Sequence, residues 1–592
     1  MIILSFGVWL RLHGSTRPLV GYFDGGRTAL QARNFRAMSI SEHRFRPIDN
    51  PRPESFLAYM NHPPFVLFFS AAMDRIMTPP EFAFRLGSVI FSTLTTFLFF
   101  YLTWRTVSMR AGVLTAGMAS FAPVGSYYGG TAFVHDVAFV FFATALLTVL
   151  VLRPSGKGTL FLCSTTILFG VFSDVHFNYL PFIAASIYYL RRDKIRVKLS
   201  LFCCGATLVG FFLLLMYVHI SSGDAFSPFR SAMNRTGYSV LLSLSFYASI
   251  WNYLNITMTP VGVWVALVVA IGLVLRKSPL FYPLQTDRVA GLMTILFLFG
   301  LIPVLVFPAG AEMHIFWVYS FFPFFAIVFG AGLARSRLVV SVILLVGLAY
   351  PALIQWSRMK VQNDYRAYEV GSEVSNLAAS ELVYADENPN LLWYYLQNPI
   401  HNINGFQNPE DILPSANREN VDFIVTSGAY IIPATEPFVS TFAPLYEEGG
   451  YLIYIRRARL EELTRNWSAS WDVEGLQAQV SVPDMIPIKV KVNLDEVASA
   501  SNSTIVVYWS KSDGERRVLL RGAIVPRMIT TSSNGYISVL IFMDSEYEEG
   551  GTLSVHLEGL DGPSKLVASY SLDLKPRWPL FPRWWWNLFP RQ

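Results

Sequence analysis

Pro80-Glu-Phe-Ala-Phe-Arg85-Leu-Gly-Ser-Val-Ile-Phe-Ser-Thr-Leu-Thr-Thr-Phe-Leu-Phe-Phe-Tyr-Leu-Thr-Trp-Arg105 decides the fold class. From Phe84 to Trp104 its only charge is Arg85. About 20 such residues cross the roughly 30 Å of a bilayer's hydrocarbon core. Working outward, comparable apolar runs occupy 111–128, 134–152, 158–172, 177–190, 199–219, 258–275, 289–307, 315–333 and 338–356. The start, Met1 to Leu12, is apolar but too short to span alone, and it has no small-residue cleavage site of a signal peptide. Either the true start is expected to lie upstream or the helix is expected to be incomplete, and counting it predicts eleven spans.

Composition agrees. Of 592 residues, 53% are hydrophobic and 15% charged, and the mean hydropathy is +0.40. A soluble enzyme carries about 25% charged residues. A disordered chain, a collagen-like chain and an ordinary cytosolic enzyme are excluded. Residues 1–358 hold 27 Lys+Arg against 12 Asp+Glu, and residues 359–592 hold 19 against 29. A basic membrane unit is therefore followed by an acidic soluble one. Cys163, Cys203 and Cys204 all lie in apolar runs, so the soluble part has neither a disulfide framework nor a cysteine zinc site.

Basic residues orient the bundle. One set of loops holds Arg105 and Arg110; Arg153 and Lys157; Arg191, Arg192, Lys194, Arg196 and Lys198; Arg276, Lys277 and Arg288; and Arg335 and Arg337. The alternate short loops, near 129–135, 173–176 and 308–314, hold no Lys or Arg. The first set is expected to be cytoplasmic. The N-terminus is then cytoplasmic, and the loops 13–83 and 220–257 and everything after 358 are extracytoplasmic.

In the soluble part, 359–465 mixes a helix (Tyr365–Ala378) with strands at Leu382-Val-Tyr-Ala, Phe423-Ile-Val-Thr and Leu452-Ile-Tyr-Ile, which predicts a small α/β domain. Residues 466–575 alternate with period two. Ile488-Lys-Val-Lys-Val-Asn-Leu and Leu553-Ser-Val-His-Leu-Glu are examples, with further strands near 503–511, 516–526, 535–543 and 565–574. That predicts an all-β, sandwich-like domain. The tail 576–592 is rich in Trp, Pro and Arg and is expected to dock on the membrane surface, or else to pack as a strip on the β domain. Asn466-Trp-Ser and Asn502-Ser-Thr are sequons on the expected outside.

Only 12 acids serve the first 358 residues, and Asp24, Asp136, Asp174 and Glu312 all fall at the predicted external face. An acid at that depth is a functional candidate by default. For Asp24 the competing role is an N-cap for a helix over Thr28–Met38. Arg27, Arg33, Arg36, Arg85, Arg230 and Arg235 share the external side, against the usual orientation bias. A phosphate would explain them, since Arg grips phosphate through paired N–H bonds; pairing with the external acids or lipid headgroups is the alternative. Asn61-His62-Pro-Pro can open a short interfacial helix running to Met73, because a first-turn proline lacks only an orphan N–H. Asp24, Asp136, His135, His176 and His314 are donors for a hard cation or zinc, but their spacing is no metal motif, so a metal is not predicted.

Several elements occur together in order: Asp24 followed by Ala32-Arg33-Asn34; His62-Pro63-Pro64; Phe84-Arg85-Leu86; Arg105 and Arg110 in one turn; an aromatic boundary ending in Asp136; and the aromatic segment His314–Pro323. In this, residues 1–358 resemble the GT-C glycosyltransferases that use lipid-phosphate sugars, of the protein O-mannosyltransferase and aminoarabinose transferase type. The resemblance implies inverting transfer from a polyprenyl- or dolichyl-phosphate sugar to a hydroxyl of a protein, lipid or glycan. It implies catalytic roles for Asp24, as base, and Asp136, and substrate contacts for Arg33, Arg85, His62, Asp174 and His314. It requires no nucleotide, metal or nucleic-acid partner. The family commonly has Asp-Glu where this chain has Asp24-Gly25, so a two-carboxylate role in that loop lacks its second acid. No Trp-Trp-Asp-Tyr-Gly occurs, which argues against the oligosaccharyltransferase branch. The rival classes are a transporter or flippase, expected to have its acids at the midplane and paired repeats, and a scaffold for which eleven spans are excessive.

Overall fold

The computed structural model describes residues 2–13, 19, 23–38, 43, 45–50, 57–58, 63–131, 135–152, 156–226, 233, 235–275, 287–334 and 336–361. Beyond these it describes 367, 370–371, 374–375, 378, 381–386, 390–396, 398–403, 406, 408–427, 436–448, 451–459, 469–474, 479–482, 484–494, 503–511, 516–523, 536–543, 551–559 and 565–576. The chain divides into two units, Met1–Asn363 and Asp364–Gln592.

The first unit is helical. Its elements are α1 (Ile2–Leu12), α2 (Phe23–Ala37), α3 (Phe65–Ile76), α4 (Pro80–Thr106), α5 (Met109–Phe121), α6 (Pro123–Ser126), α7 (His135–Leu152) and α8 (Lys157–Val171). There follow α9 (Tyr179–Leu190), α10 (Lys194–Ser222), α11 (Leu244–Met258), α12 (Pro260–Leu275), α13 (Asp287–Val306), α14 (Pro308–Met313), α15 (Phe322–Leu333) and α16 (Leu338–Val361). Among the described residues, five stretches are long and apolar enough to cross a membrane: Pro80–Thr106, His135–Leu152, Lys194–Ser222, Val289–Val306 and Ile315–Leu333. A sixth arises if α11 and α12, bent by 108° at Thr259, form one span. Ile3–Leu12, Lys157–Val171 and Leu338–Ile354 are apolar but shorter.

The apolar runs become helices, with differences at prolines and turns. The run 111–128 breaks at Ala122, because Pro123 pushes its neighbour to an extended conformation (φ −53°, ψ 136°) and cannot continue α5's hydrogen bonds. The loop 220–257 contains α11. The Pro63-Pro64 pair opens α3, with Pro64 at its N-cap position. The Phe65 N–H bonds the Phe172 carbonyl at 2.9 Å, fastening α3 to the end of α8. Every residue of α15 is buried, and α7 is buried along most of its length, so these two form the bundle's centre. Phe99 of α4 meets Phe322 at 5.4 Å, and Phe139 of α7 meets Phe299 of α13 at 6.0 Å. A small hairpin, β1 (Ile48–Asn50) with β2 (Leu57–Ala58), lies in the first loop.

The second unit contains a ten-stranded sheet and a three-stranded one. Parallel pairing joins β3 (Val383–Ala385) to β4 (Ile400–Asn402) and to β5 (Phe423–Ser427); β7 (Tyr451–Arg456) then pairs antiparallel with β5 and β6 (Phe442–Glu448). Ala367, Val370, Val374 and Ala378 are buried at helical spacing, as the Tyr365–Ala378 pattern predicts. Tyr384, Ile403, Ile412, Val421, Ile424 and Phe442 form the core here. The expected boundary at 465 does not interrupt the sheet. Strand β6 pairs with β12 (Arg516–Ala523) through Glu447↔Arg521 and Tyr446↔Gly522, so β11 (Ser503–Lys511), β14 (Gly551–Gly559), β15 (Lys565–Pro576) and β9 (Gln479–Val482) continue the same sheet. Strand β10 (Asp484–Leu494) forms the smaller sheet with β8 (Ala469–Glu474) and β13 (Tyr536–Met543). The sequon residues Asn466-Trp-Ser, Asn502 and residues 577–592 lie outside the described residues.

Candidate active site

Helix α2 begins at Phe23, so Asp24 lies inside its first turn and does not cap a helix starting at Thr28. The side chain of Asp24 lies outside the described residues, as does the whole of His62. The described part of α2 is packed by Ala29, Leu30 and Ala32, and the Asn34 amide donates to the Ile48 carbonyl at 3.0 Å. Arg33 and Arg36 both face Asp74 of α3 electrostatically, and Arg36 pairs with it at 3.1 Å. Burial pushes the Asp74 carboxyl above the usual carboxylate range, while Arg36 and Arg33 pull it down. For Arg36 the pairing role therefore holds, and Arg33 shares the same acid.

Arg85 is buried in the second turn of α4, on a face that continues through Ser88, Ser92 and Thr96. This line ends at Arg11 of α1, whose guanidinium is fully buried. It donates to the carbonyls of Gly125 (2.8 Å) and Ala119 (3.3 Å) and to the Thr96 hydroxyl (2.9 Å). Among the described residues no carboxylate pairs with Arg11. Gly129 must lack a side chain here, since a Cβ would lie 2.6 Å from Ser92 Oγ and 3.1 Å from Arg11 Nε. Arg11 thereby holds the broken segment between α5 and α7 and the helical turn Tyr128–Gly130.

That segment carries Tyr128 against Tyr319, with ring centroids 5.0 Å apart and a hydrogen bond between the side chains. Asp136, buried in the first turn of α7, lies within electrostatic reach of Tyr319. Its neighbour His135 bonds the Ser173 carbonyl through Nδ1 at 3.1 Å. The turn Val175–Asn178 is capped by Asp174, whose Oδ1 accepts the His176 backbone N–H at 2.8 Å and lies 2.7 Å from His176 Nδ1. The His176 ring meets Trp317 at 4.6 Å and Phe139 at 5.7 Å. Asp136 and Asp174 are thus brought to one end of the bundle, beside the aromatic turn Ile315–Phe321. His314 immediately precedes that turn and stacks on Phe316 at 5.0 Å. Glu312 is engaged elsewhere: its Oε1 accepts the Ser245 hydroxyl at 2.6 Å, and its carbonyl accepts the Tyr253 hydroxyl at 2.9 Å. Among the described residues, no group of three His, Cys, Asp or Glu side chains could hold a metal ion.

Tyr128, Tyr319, Trp317 and Arg11 were not singled out from the sequence. Arg11 had a signal there, since a charge inside an apolar helix is costly and is kept for a reason. Trp317 and Tyr319 lie in the aromatic segment His314–Pro323, which marks the region but not these two side chains, because aromatics fill most of this bundle.

The model of the dolichyl-phosphate-mannose-protein mannosyltransferase family matches residues 61–221. Among solved structures, ArnT from Cupriavidus metallidurans bound to undecaprenyl phosphate is similar at 13% identity and a TM-score of 0.55, over 76% of this chain and 97% of that one. The Archaeoglobus fulgidus oligosaccharyltransferase in complex with Zn and sulfate is similar at 10% identity and a TM-score of 0.51, over 97% of this chain and 99% of that one. The same archaeal enzyme, AglB, with an inhibitory peptide and a dolichol-phosphate, aligns at 8% identity and a TM-score of 0.50, over 97% and 98%. No curated protein matches the sequence. The chain has the GT-C glycosyltransferase fold, and the likeness to the oligosaccharyltransferase extends through the C-terminal unit.

Proposed function

We propose that this GT-C chain transfers a sugar from a polyprenyl- or dolichyl-phosphate donor to an acceptor hydroxyl. The reaction takes place at the extracytoplasmic face of the cell membrane, with inversion at the anomeric carbon. The observation that carries the reading is that Asp136 and Asp174 both lie at one end of a GT-C bundle, Asp136 within reach of Tyr319 and Asp174 on His176 beside Trp317. Similar proteins add weight: one solved neighbour holds undecaprenyl phosphate and another a dolichol-phosphate.

In this reading the acceptor oxygen attacks the anomeric carbon, and Asp24 takes its proton. The bond from that carbon to the phosphate oxygen breaks, and its electron pair leaves with the lipid phosphate. Phosphate is a weak base, so the leaving group needs positive charge more than a general acid. Arg85 supplies it, with Arg33 at the rim. Asp136 orients the acceptor, His62 and His314 contact substrate, and Asp174 belongs to the substrate-binding site. No metal or nucleotide takes part. The N-terminus is cytoplasmic, and the C-terminal domains face outside, where an acceptor protein, lipid or glycan is met.

The test is transfer in proteoliposomes from a panel of sugar-labelled polyprenyl-phosphate donors, with wild type, Asp24→Asn and Asp136→Asn side by side. Label leaving the lipid in wild type, with a loss of roughly 10²-fold or more in Asp24→Asn, is the expected result. Retained transfer in Asp24→Asn removes it as the base. Consumption of no donor by folded wild type, with membrane acceptors present, moves the reading to transport. Chelation with EDTA is expected to leave the rate unchanged.

A further inference from the structure

The Asp174 turn leaves two buried nitrogen atoms unmatched. A carboxylate only accepts hydrogen bonds, so Asp174 Oδ1, 2.7 Å from His176 Nδ1, places the ring proton on that nitrogen. In the neutral ring, His176 Nε2 then presents a lone pair. It is shielded from solvent and has no hydrogen-bond partner, and the same holds for the indole Nε1–H of Trp317. The two residues are 6% and 4% exposed, and their rings meet edge to face at 4.6 Å. Phe139 and Phe307 wall the pair at 5.7 Å and 5.3 Å.

One acceptor and one donor, each buried and unmatched, destabilise the site until a partner arrives. The group that answers both is a hydroxyl, which donates and accepts. A phosphate or carboxylate oxygen answers only the indole, and an ammonium only the imidazole. Aromatic walls with a few placed polar atoms are the usual lining of a small-molecule site. We infer that His176 and Trp317 form a specificity subsite that reads one hydroxyl of the donor's sugar, with Asp174 as the positioning residue that sets the imidazole tautomer. This rests on the glycosyl-transfer reading above.

The experiment uses the sugar that the full-length wild type transfers, offered as donors deoxygenated or fluorinated at one position at a time. At one position, removal of the hydroxyl is expected to lower wild-type kcat/KM by ~10²-fold or more, as for sites built to hydrogen-bond a hydroxyl. In His176→Phe that penalty shrinks towards none, and penalties at other positions stay. A fluorine at the critical position behaves as a deletion towards His176, since it cannot donate. Asp174→Asn keeps the ring and lets Nε2 carry the proton, and it is expected to abolish the same discrimination. It and Trp317→Phe carry the test if His176→Phe does not fold. Unchanged penalties at every position in these folded variants overturn the inference and assign the two nitrogens to a structural water. Absence of transfer by the wild type instead strikes the glycosyl-transfer reading itself.

Discussion

Arg36 of α2 holds Asp74 of α3 through a 3.1 Å ion pair whose acid is almost wholly buried and whose base is half exposed. The two short helices of the first loop are therefore joined by a carboxylate that burial penalises. The Asp74 carboxyl is pushed up by burial, and Arg36 and Arg33 only partly offset this. A carboxyl that holds its proton more tightly folded than unfolded favours the fold below its unfolded pKa. That contribution is lost as pH rises through the folded value. Relative to Asp74→Asn, the wild type is expected to lose stability as pH rises from about 4 towards neutrality. Thermal unfolding of both proteins across that range checks it, and a wild-type advantage growing with pH would contradict it.

Arg11 makes three hydrogen bonds, to carbonyls in α6 and in the last turn of α5 and to a hydroxyl of α4. Replacing it by Met leaves the Gly125 and Ala119 carbonyls and the Thr96 hydroxyl short of a donor. A destabilisation of about 2–4 kcal/mol is expected. Lysine restores the charge but not the planar fork, so Arg11→Lys should recover only part of it. Thermal unfolding in detergent, alongside transfer rates, separates the two variants; equal stability of Arg11→Met and wild type would show that the bonds carry little.

Gly330 lets α15 and α5 touch. A Cβ there meets the Thr115 hydroxyl and lies 2.6 Å from the Ala111 carbonyl, which is backbone and cannot turn aside. Small residues at membrane helix interfaces serve this close approach. Gly330→Ala is expected to cost about 1–3 kcal/mol. Gly347 of α16 has nothing within 4 Å of its Cβ position. Gly347→Ala should be neutral or stabilise by up to about 1 kcal/mol. Unfolding midpoints of the two variants measured together decide this, and a similar shift for both would refute it.

Arg85 and Arg33 were grouped as phosphate contacts, but their surroundings differ. Arg85 is buried in α4, whereas Arg33 is only partly buried and shares Asp74 with Arg36. Arg85→Gln is expected to lower kcat/KM for the donor by about 10²-fold. Arg33→Gln should change it by no more than roughly tenfold. Steady-state kinetics over donor concentration tests the ranking, and a larger effect at Arg33 would reverse it.

Much of the bundle was legible because the bilayer acts on long windows of sequence. The run 199–219 sits inside α10, and 134–152 coincides with α7 to within a residue. Period-two alternation placed Ser503–Lys511 as a strand for a similar reason, since one face of each strand is apolar. The pairing of β6 with β12 across residue 465 was not legible, because the residues of the two Cα pairs that join them carry no mark of each other.

Sequence alone determined that an apolar, basic membrane unit is followed by an acidic one, and the order of its motifs carried the resemblance to GT-C enzymes. Hydropathy and charge are sums over many residues and need no knowledge of neighbours. Only the tertiary structure decided where the bundle's acids go: His135 bonds the Ser173 carbonyl and so draws the turns of Asp136 and Asp174 to one end, while Glu312 is held by Ser245. It alone joined Arg11 to Gly125 across 114 residues and set His176 against Trp317. Such pairings depend on which side of each helix faces which neighbour, and in a bundle apolar all round, periodicity does not encode that choice.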